Sequence, residues 1–572
     1  MRRAAFLLFV VSAFLPRLAM AGQDPTSPAA PVGREVQDLI FFADSRPVYF
    51  RLHLYVDGKP FRDAWDEFMD SLFRYLDVDG DGVLSQAEID RAPEPQFLLQ
   101  LLRGNYLDPN TANRRRTAEL AVQLIPGKVK RPGLATYYRL SGVEPFLAFT
   151  RDQSAQAAGL TAALFGYLDR DGDGKLSRAE LLAAAASLRK LDLNDDEVID
   201  REEVLPGQPD DGRGMMAQRE RVEVLSDESA FYLPTSQDAP TRLAYALLMR
   251  YDKDKNQKLS RSEIALEKPV FDLLDADHDG ELDLAELGKL PKYQPPDLEV
   301  VVQLGGSPGS FEYVYLHNAQ SQLVPLTRRI SSGSLAVALG NVHVDLGAGA
   351  GPGASLPAAR LLLMQQFKAS DVTKRGYLDR TQADQNPLLR PFFQSADRNG
   401  DGKLTLEELG AYLDLLDKGI LSCAVLMITE HGRALFELLN VHHDGRLRQR
   451  ELRSAWSMVE PWAKGDFLKR EDLPQQFDLL FTQGQPGNVP GGGDVPAAPN
   501  MMVSRPSGLP ERGPLWFRKM DRNGDGVVTL REFLGTREDF KRIDTNGDGI
   551  ITPEEAEAAD ALFRKQKGEK TP

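Results

Sequence analysis

Cysteine is the scarcest residue: Cys423 stands alone among 572. One thiol cannot close a disulfide within the chain or build a cysteine-ligated zinc or iron–sulfur centre. It lies in an apolar run with Val425, Leu426 and Ile428 and reads as a packing residue. Only 7 His are present, scattered, with no H-E-x-x-H pair. Positive charge is also short: 69 Lys and Arg face 84 Asp and Glu, a formal −15. That sign is wrong for coating a phosphate backbone, so no nucleic-acid partner is expected. No P-loop or dinucleotide fingerprint occurs, and no run reaches the roughly 18 apolar residues that a membrane helix needs. Gly305-Gly306-Ser307-Pro308-Gly309 formally fits a nucleophile elbow. Strand-like segments flank it on both sides and Pro308 suits a hairpin turn, so no enzyme activity is expected there.

The chain starts with Arg2-Arg3, an apolar stretch from Ala4 to Leu15, and Ala19-Met20-Ala21. This is the pattern of a signal peptide (1–21) cut after Ala21, and it predicts a secreted or periplasmic protein. Outside the cytosol and without disulfides, small domains need another staple, for which metal is a candidate.

A twelve-residue pattern, D-x-[DN]-x-[DN]-G-x-[apolar]-x-x-x-E, recurs along the chain. Clean copies run from Asp77 to Glu88, Asp169 to Glu180, Asp275 to Glu286, Asp397 to Glu408, Asp521 to Glu532 and Asp544 to Glu555. Two more, Asp192 to Glu203 and Asp252 to Glu263, carry Glu197 and Gln257 where the others have Gly. Apolar residues at helical spacing flank the loops, as with Phe68, Leu72, Phe73 and Leu76 before Asp77. These loops match the EF-hand family, and the chain resembles secreted multi-EF-hand proteins of bacterial type.

The resemblance implies Ca²⁺, a hard cation that takes about seven oxygens. The first, third and fifth side chains would point inward: Asp77, Asp79 and Asp81; Asp169, Asp171 and Asp173; Asp192, Asn194 and Asp196; Asp252, Asp254 and Asn256; Asp275, Asp277 and Asp279; Asp397, Asn399 and Asp401; Asp521, Asn523 and Asp525; Asp544, Asn546 and Asp548. The seventh residue would give its carbonyl: Val83, Lys175, Val198, Lys258, Glu281, Lys403, Val527 and Ile550. The twelfth would bind through both carboxylate oxygens: Glu88, Glu180, Glu203, Glu263, Glu286, Glu408, Glu532 and Glu555. The eighth residue is apolar throughout and would form a short β-bridge with a partner loop.

Four further copies look decayed and metal-free: Val122 to Gly133, Asp371 to Gln382, Asn440 to Glu451 and Glu460 to Glu471. In the second of them Thr373, Arg375 and Gln382 replace ligands. Loops starting 23 residues apart suggest adjacent partners.

The expected fold is therefore mainly α: six tandem EF-hand pairs, some degenerate, with a small antiparallel β insert. The segments are a disordered start (22–34), a strand plus hand with degenerate partner (35–150), a pair (151–206), a linker with a strand (207–240), a pair (241–292), the β insert (293–352), a half-degenerate pair (353–416), a degenerate pair (417–482), a Pro/Gly-rich linker (483–514) and a C-terminal pair (515–572).

The expected function is a secreted calcium-binding protein with about eight sites, calcium acting as structural staple or buffer. The alternative is a calcium-dependent adaptor or sensor with a protein partner. Loss of Arg2, Arg3 and Arg17 takes the charge to −18, and eight Ca²⁺ return it to −2.

Overall fold

The computed structural model describes residues 33–102, 129–194, 197–205, 223–225, 229–234, 240–305, 312–317, 326–331, 334–349, 356–441, 445–484, 513–521, 526–547 and 549–567. The leader, Ser307, the His442-His443 pair and nearly all of the 483–514 linker lie outside them. The chain divides into two compact units, the smaller containing Ala239–Pro295 and the larger containing Gly33–Asp238 and Pro296–Pro572.

In the larger unit the strand Pro47–Val56 alternates as its sequence does. Phe50, Leu52, Leu54 and Val56 are buried, whereas Arg51, His53 and Tyr55 are only partly covered. It is central in a six-stranded sheet ordered Tyr313–Leu316, Leu298–Leu304, Pro47–Val56, Val36–Phe42, Phe231–Tyr232, with Lys59–Pro60 folded back onto it. A seven-stranded sheet runs Thr327–Ser331, Ser334–Leu339, Val342–Gly349, Gln475–Gln483, Ala424–Gly432, Phe146–Asp152, Glu223–Val224. One hydrophobic core joins the two sheets, with Phe41, Leu52, Val300 and Val302 from the first and Val344, Leu426, Phe477 and Leu479 from the second. Phe477 meets Phe41 and Phe231 edge-on, with ring centroids 5.7 and 5.3 Å away.

This overturns the expectation of a mainly α chain with a small antiparallel insert. Among the described residues helix makes up 44% and strand 24%, and the sheets are mixed. The strands of 293–352 do not pair only among themselves. Leu298–Leu304 runs parallel to Pro47–Val56, and Val342–Gly349 runs parallel to Gln475–Gln483. Phe146–Asp152 and Ala424–Gly432 each begin with a short apolar run, Phe-Leu-Ala-Phe and Ala-Val-Leu-Met-Ile. Periodicity cannot separate such a buried strand from a piece of helix.

The tandem order of the hands needs correcting as well. Leu259 bridges Leu282, Leu378 bridges Leu404, Val528 bridges Ile551, and Leu84 bridges Val129. However, Leu176 bridges Leu468 rather than Ile199, and Ile199 bridges Leu447. The Asp169 and Asp192 loops are thus interleaved with the degenerate loops at 460–471 and 440–451. The sheet supplies the reason. Ala424–Gly432 and Phe146–Asp152 are parallel neighbours. They lead into Leu435–Leu439 and Ser154–Leu168, so two entering helices leave the sheet side by side. Four hands then share one core, which includes Leu164, Phe165, Leu188, Phe436, Leu452 and Trp456. A second core joins the hands around Leu84, Val129, Leu378 and Leu404. The last pair has its own core around Phe517, Phe540 and Ile551, and its Arg531 reaches Glu197 at 3.8 Å. Cys423 is fully buried, and burial pushes its thiol pKa up. Among the described residues no helix is long and apolar enough to cross a membrane.

Candidate metal centres

Each loop is set by the ends of its helices. The entering helix Phe61–Leu76 stops at Asp77, whose N–H still bonds the Phe73 carbonyl. Asp169, Asp275, Asp397, Asp521 and Asp544 stand at the same position after their helices. The exiting helix begins after the ninth residue, and the ninth and twelfth residues form a capping box. Ser85 with Glu88, Ser177 with Glu180, Asp200 with Glu203, Asp283 with Glu286 and Thr405 with Glu408 all do so. Thus one glutamate starts a helix and faces the loop.

Inside the loop the first aspartate organises the backbone. Asp77 accepts from the Gly80 and Gly82 amides at 2.8 and 3.1 Å. Asp169 accepts from Gly172 and Gly174 at 2.7 and 2.9 Å, and Asp397 from Gly400 and Gly402 at 2.9 and 3.0 Å. The fifth residue accepts from the seventh amide: Val83, Lys175, Lys258, Glu281 and Lys403 donate to Asp81, Asp173, Asn256, Asp279 and Asp401 at 2.7 to 2.8 Å. The sixth residue must be left-handed, with φ of 78° at Gly82 and 80° at Gly174. Glu197 and Gln257 take the same conformation, at 65° and 66°, although an L side chain resists it.

Four loops bring three carboxylates together, with oxygens within 4.8 Å of one another: Asp77, Asp79 and Asp81; Asp169, Asp171 and Glu180; Asp252, Asp254 and Glu263; Asp275, Asp277 and Glu286. Asp397, Asp401 and Glu408 keep the loop turns but are not gathered to that degree. Asp196, Asn523, Asp525 and Asp548 lie outside the described residues. Asp192, Asn194, Val198 and Glu203 remain in place in their loop, as do Asp521, Val527 and Glu532, and Asp544, Asn546, Ile550 and Glu555 in theirs.

The donors fit a hard cation. Glu88, Glu180, Glu203, Glu263, Glu286 and Glu532 are all buried. Burial pushes the Glu88 carboxyl up in pKa, but the amides of Ser85, Val78 and Asp79 and the Ser85 hydroxyl hold it below the usual range. Glu180 and Glu263 show the same balance. These groups stay ionised in a place where an unpaired charge is costly. All-oxygen donors around one point suit Ca²⁺. In the Asp252–Asp275 pair, Lys258 reaches across to Asp279, and the Asn256 amide donates to Glu281 at 3.1 Å.

The Asp371 loop shows what decay has put in place of an ion. Its Gly376 has φ of 80°, and the Arg375 and Gly376 amides donate to Asp371 at 3.0 and 2.8 Å. The Arg375 guanidinium bonds Thr373 Oγ1 at 2.9 Å and both Asp379 and Gln382 Oε1 at 3.0 Å. Those are the third, ninth and twelfth positions, so an internal cation spans the ligand set. The sequence showed Arg375 as a lost ligand but not as a substitute charge.

A family model described as EF hand matches residues 68–91, 161–183, 266–291, 389–413, 515–534 and 538–555. Each segment encloses one of the six loops with glycine at the sixth position. The chain carries six repeats of the EF-hand calcium-binding family. Its cofactor is Ca²⁺, as the EF-hand repeats imply. The Asp192 and Asp252 loops fall outside the matched segments. Comparison with curated proteins and with solved structures gave no match.

Proposed function

We propose that this chain is a non-catalytic calcium-binding protein acting outside the cytosol. In this reading calcium occupies eight EF-hand loops and serves chiefly as a structural staple. The observation that carries the proposal is the interleaved pairing. The Asp169 loop bridges residues nearly 300 positions away, at Phe467 and Leu468, and the Asp192 loop bridges Arg446 to Arg448. Ordering either loop around an ion therefore fixes two remote parts of the chain against each other. The burial of the twelfth-position glutamates supports the same reading, since each ion would neutralise charge inside a packed core.

Such a role calls for weak sites. Extracellular hands bind at about 10⁻⁴ to 10⁻³ M, close to the calcium level outside cells. Free calcium at about one to ten times the dissociation constant adds about 0.4 to 1.4 kcal/mol of stability per site, so eight sites together make a substantial staple. Calorimetric titration with Ca²⁺ and Mg²⁺ tests the proposal. Eight sites with calcium preferred is the expected result; micromolar or tighter sites that drive a large opening would favour the sensor reading instead.

A further inference from the structure

We propose that the outer face of the six-stranded sheet holds a second kind of metal site, for a zinc-type divalent transition ion, built from His53, Glu299 and His317. None of the three belongs to an EF-hand loop. His53 lies on Pro47–Val56, Glu299 on Leu298–Leu304, and His317 directly follows Tyr313–Leu316. The register explains why they meet. Glu299 pairs with Arg51 on the parallel neighbour, so His53 is one pleat further on the same face. On the other side Val300 pairs with Leu316, and the His317 amide donates to the Glu299 carbonyl at 2.9 Å.

One donor atom from each residue lies within 4.8 Å of the other two. His53 Nε2 is 3.0 Å from Glu299 Oε2, and the imidazole centroids are 4.2 Å apart. A tetrahedral zinc ion with bonds of about 2.0–2.1 Å spaces its donor atoms about 3.3 Å apart. The His53–Glu299 donor separation is just below that value and the other donor separations lie within 4.8 Å, so a small side-chain adjustment would complete the site. His53 and Glu299 are largely covered and His317 is exposed, leaving an open side for water as the fourth ligand. Two imidazoles and one carboxylate select a borderline ion over Ca²⁺, which wants oxygen throughout. Arg51, on the same face of the strand, is turned onto Asp38 with bonds of 2.9 and 3.2 Å. An ion here would tie Pro47–Val56 to strands some 246 residues away.

The test uses the full chain in excess calcium, so that the EF-hand loops are filled. Zn²⁺ is titrated by calorimetry, and Co²⁺ by its visible absorption, which is strong for a four-coordinate nitrogen–oxygen site and weak for octahedral oxygen. The expected result is one ion per chain, bound at least tenfold more weakly after His317→Ala or Glu299→Gln and unchanged after His442→Ala with His443→Ala. His317 is exposed, and melting in calcium checks that its variant is folded. No binding at about 100 µM zinc, binding that survives both substitutions, or binding lost with His442 and His443 would each overturn the site. The trio would then be a hydrogen-bonded pair with a stacked imidazole.

Discussion

The Asp371 loop allows the charge logic of the hands to be run in reverse. Arg375→Asp combined with Gln382→Glu removes the internal guanidinium and places carboxylates at the fifth and twelfth positions. The loop is already wound for an ion: Gly376 is left-handed, Asp371 holds two amides, and Leu378 is bridged to Leu404 in the neighbouring loop. Asp371, Thr373, Asp379 and the Tyr377 carbonyl complete the oxygen set. The variant should bind one more Ca²⁺ than the parent. At about 100 times the new dissociation constant that ion adds about 2.7 kcal/mol to unfolding. In chelator the order reverses, because the added carboxylates face Asp371 and Asp379 with no guanidinium between them. Calorimetry gives the ion count, and denaturant unfolding with and without calcium gives the crossover. A folded variant with an unchanged count would refute the view that Arg375 replaces the ion.

Three further outcomes follow from particular residues. Leu468 and Leu447 are fully buried bridge partners of Leu176 and Ile199. Leu468→Ala should cost about 2–5 kcal/mol and weaken calcium at the Asp169 loop, while Leu447→Ala weakens the Asp192 loop; the opposite assignment would contradict the interleaving. Gln257→Gly relieves a left-handed side chain and should strengthen calcium binding there by about 0.5–1 kcal/mol, read by titration of the variant; an unchanged affinity would count against strain at that position. His431 Nε2 donates to the Asp478 carboxylate at 2.7 Å in a buried layer. Burial lowers its pKa, but the Asp478 charge and hydrogen bond raise it more, with Glu437 adding to this and Arg201 opposing it. A raised folded pKa gives stability that is full below the unfolded value of about 6.5 and fades as pH rises through the folded one. In saturating calcium, His431→Gln should therefore lower the melting temperature more at about pH 5.5 than at about pH 9; an equal loss at both would contradict the pairing.

The loops were readable because calcium fixes residue type at every second position. The loop pattern did not announce the capping boxes, although Ser177 and Glu180 serve helix and loop alike. The strand Pro47–Val56 showed itself through alternation. The sheets as a whole did not, because their pairings join segments hundreds of residues apart and leave no local trace. Phe146–Asp152 and Ala424–Gly432 are apolar on both faces over their first four or five residues, which removes there the period that marks a half-exposed strand. Hand order failed for the same cause. A spacing of 23 residues permits a pair, but parallel strands upstream decide which helices emerge together. The role of Arg375 needed coordinates, since a sequence shows a lost carboxylate and not where the new cation points.

Melting of the full chain in about 1 mM calcium and again in excess chelator tests the central claim most directly. If calcium ties remote segments together, chelation lowers the melting temperature and raises the hydrodynamic radius before global unfolding. Superimposable melting curves and an unchanged radius would contradict calcium as the staple of this fold.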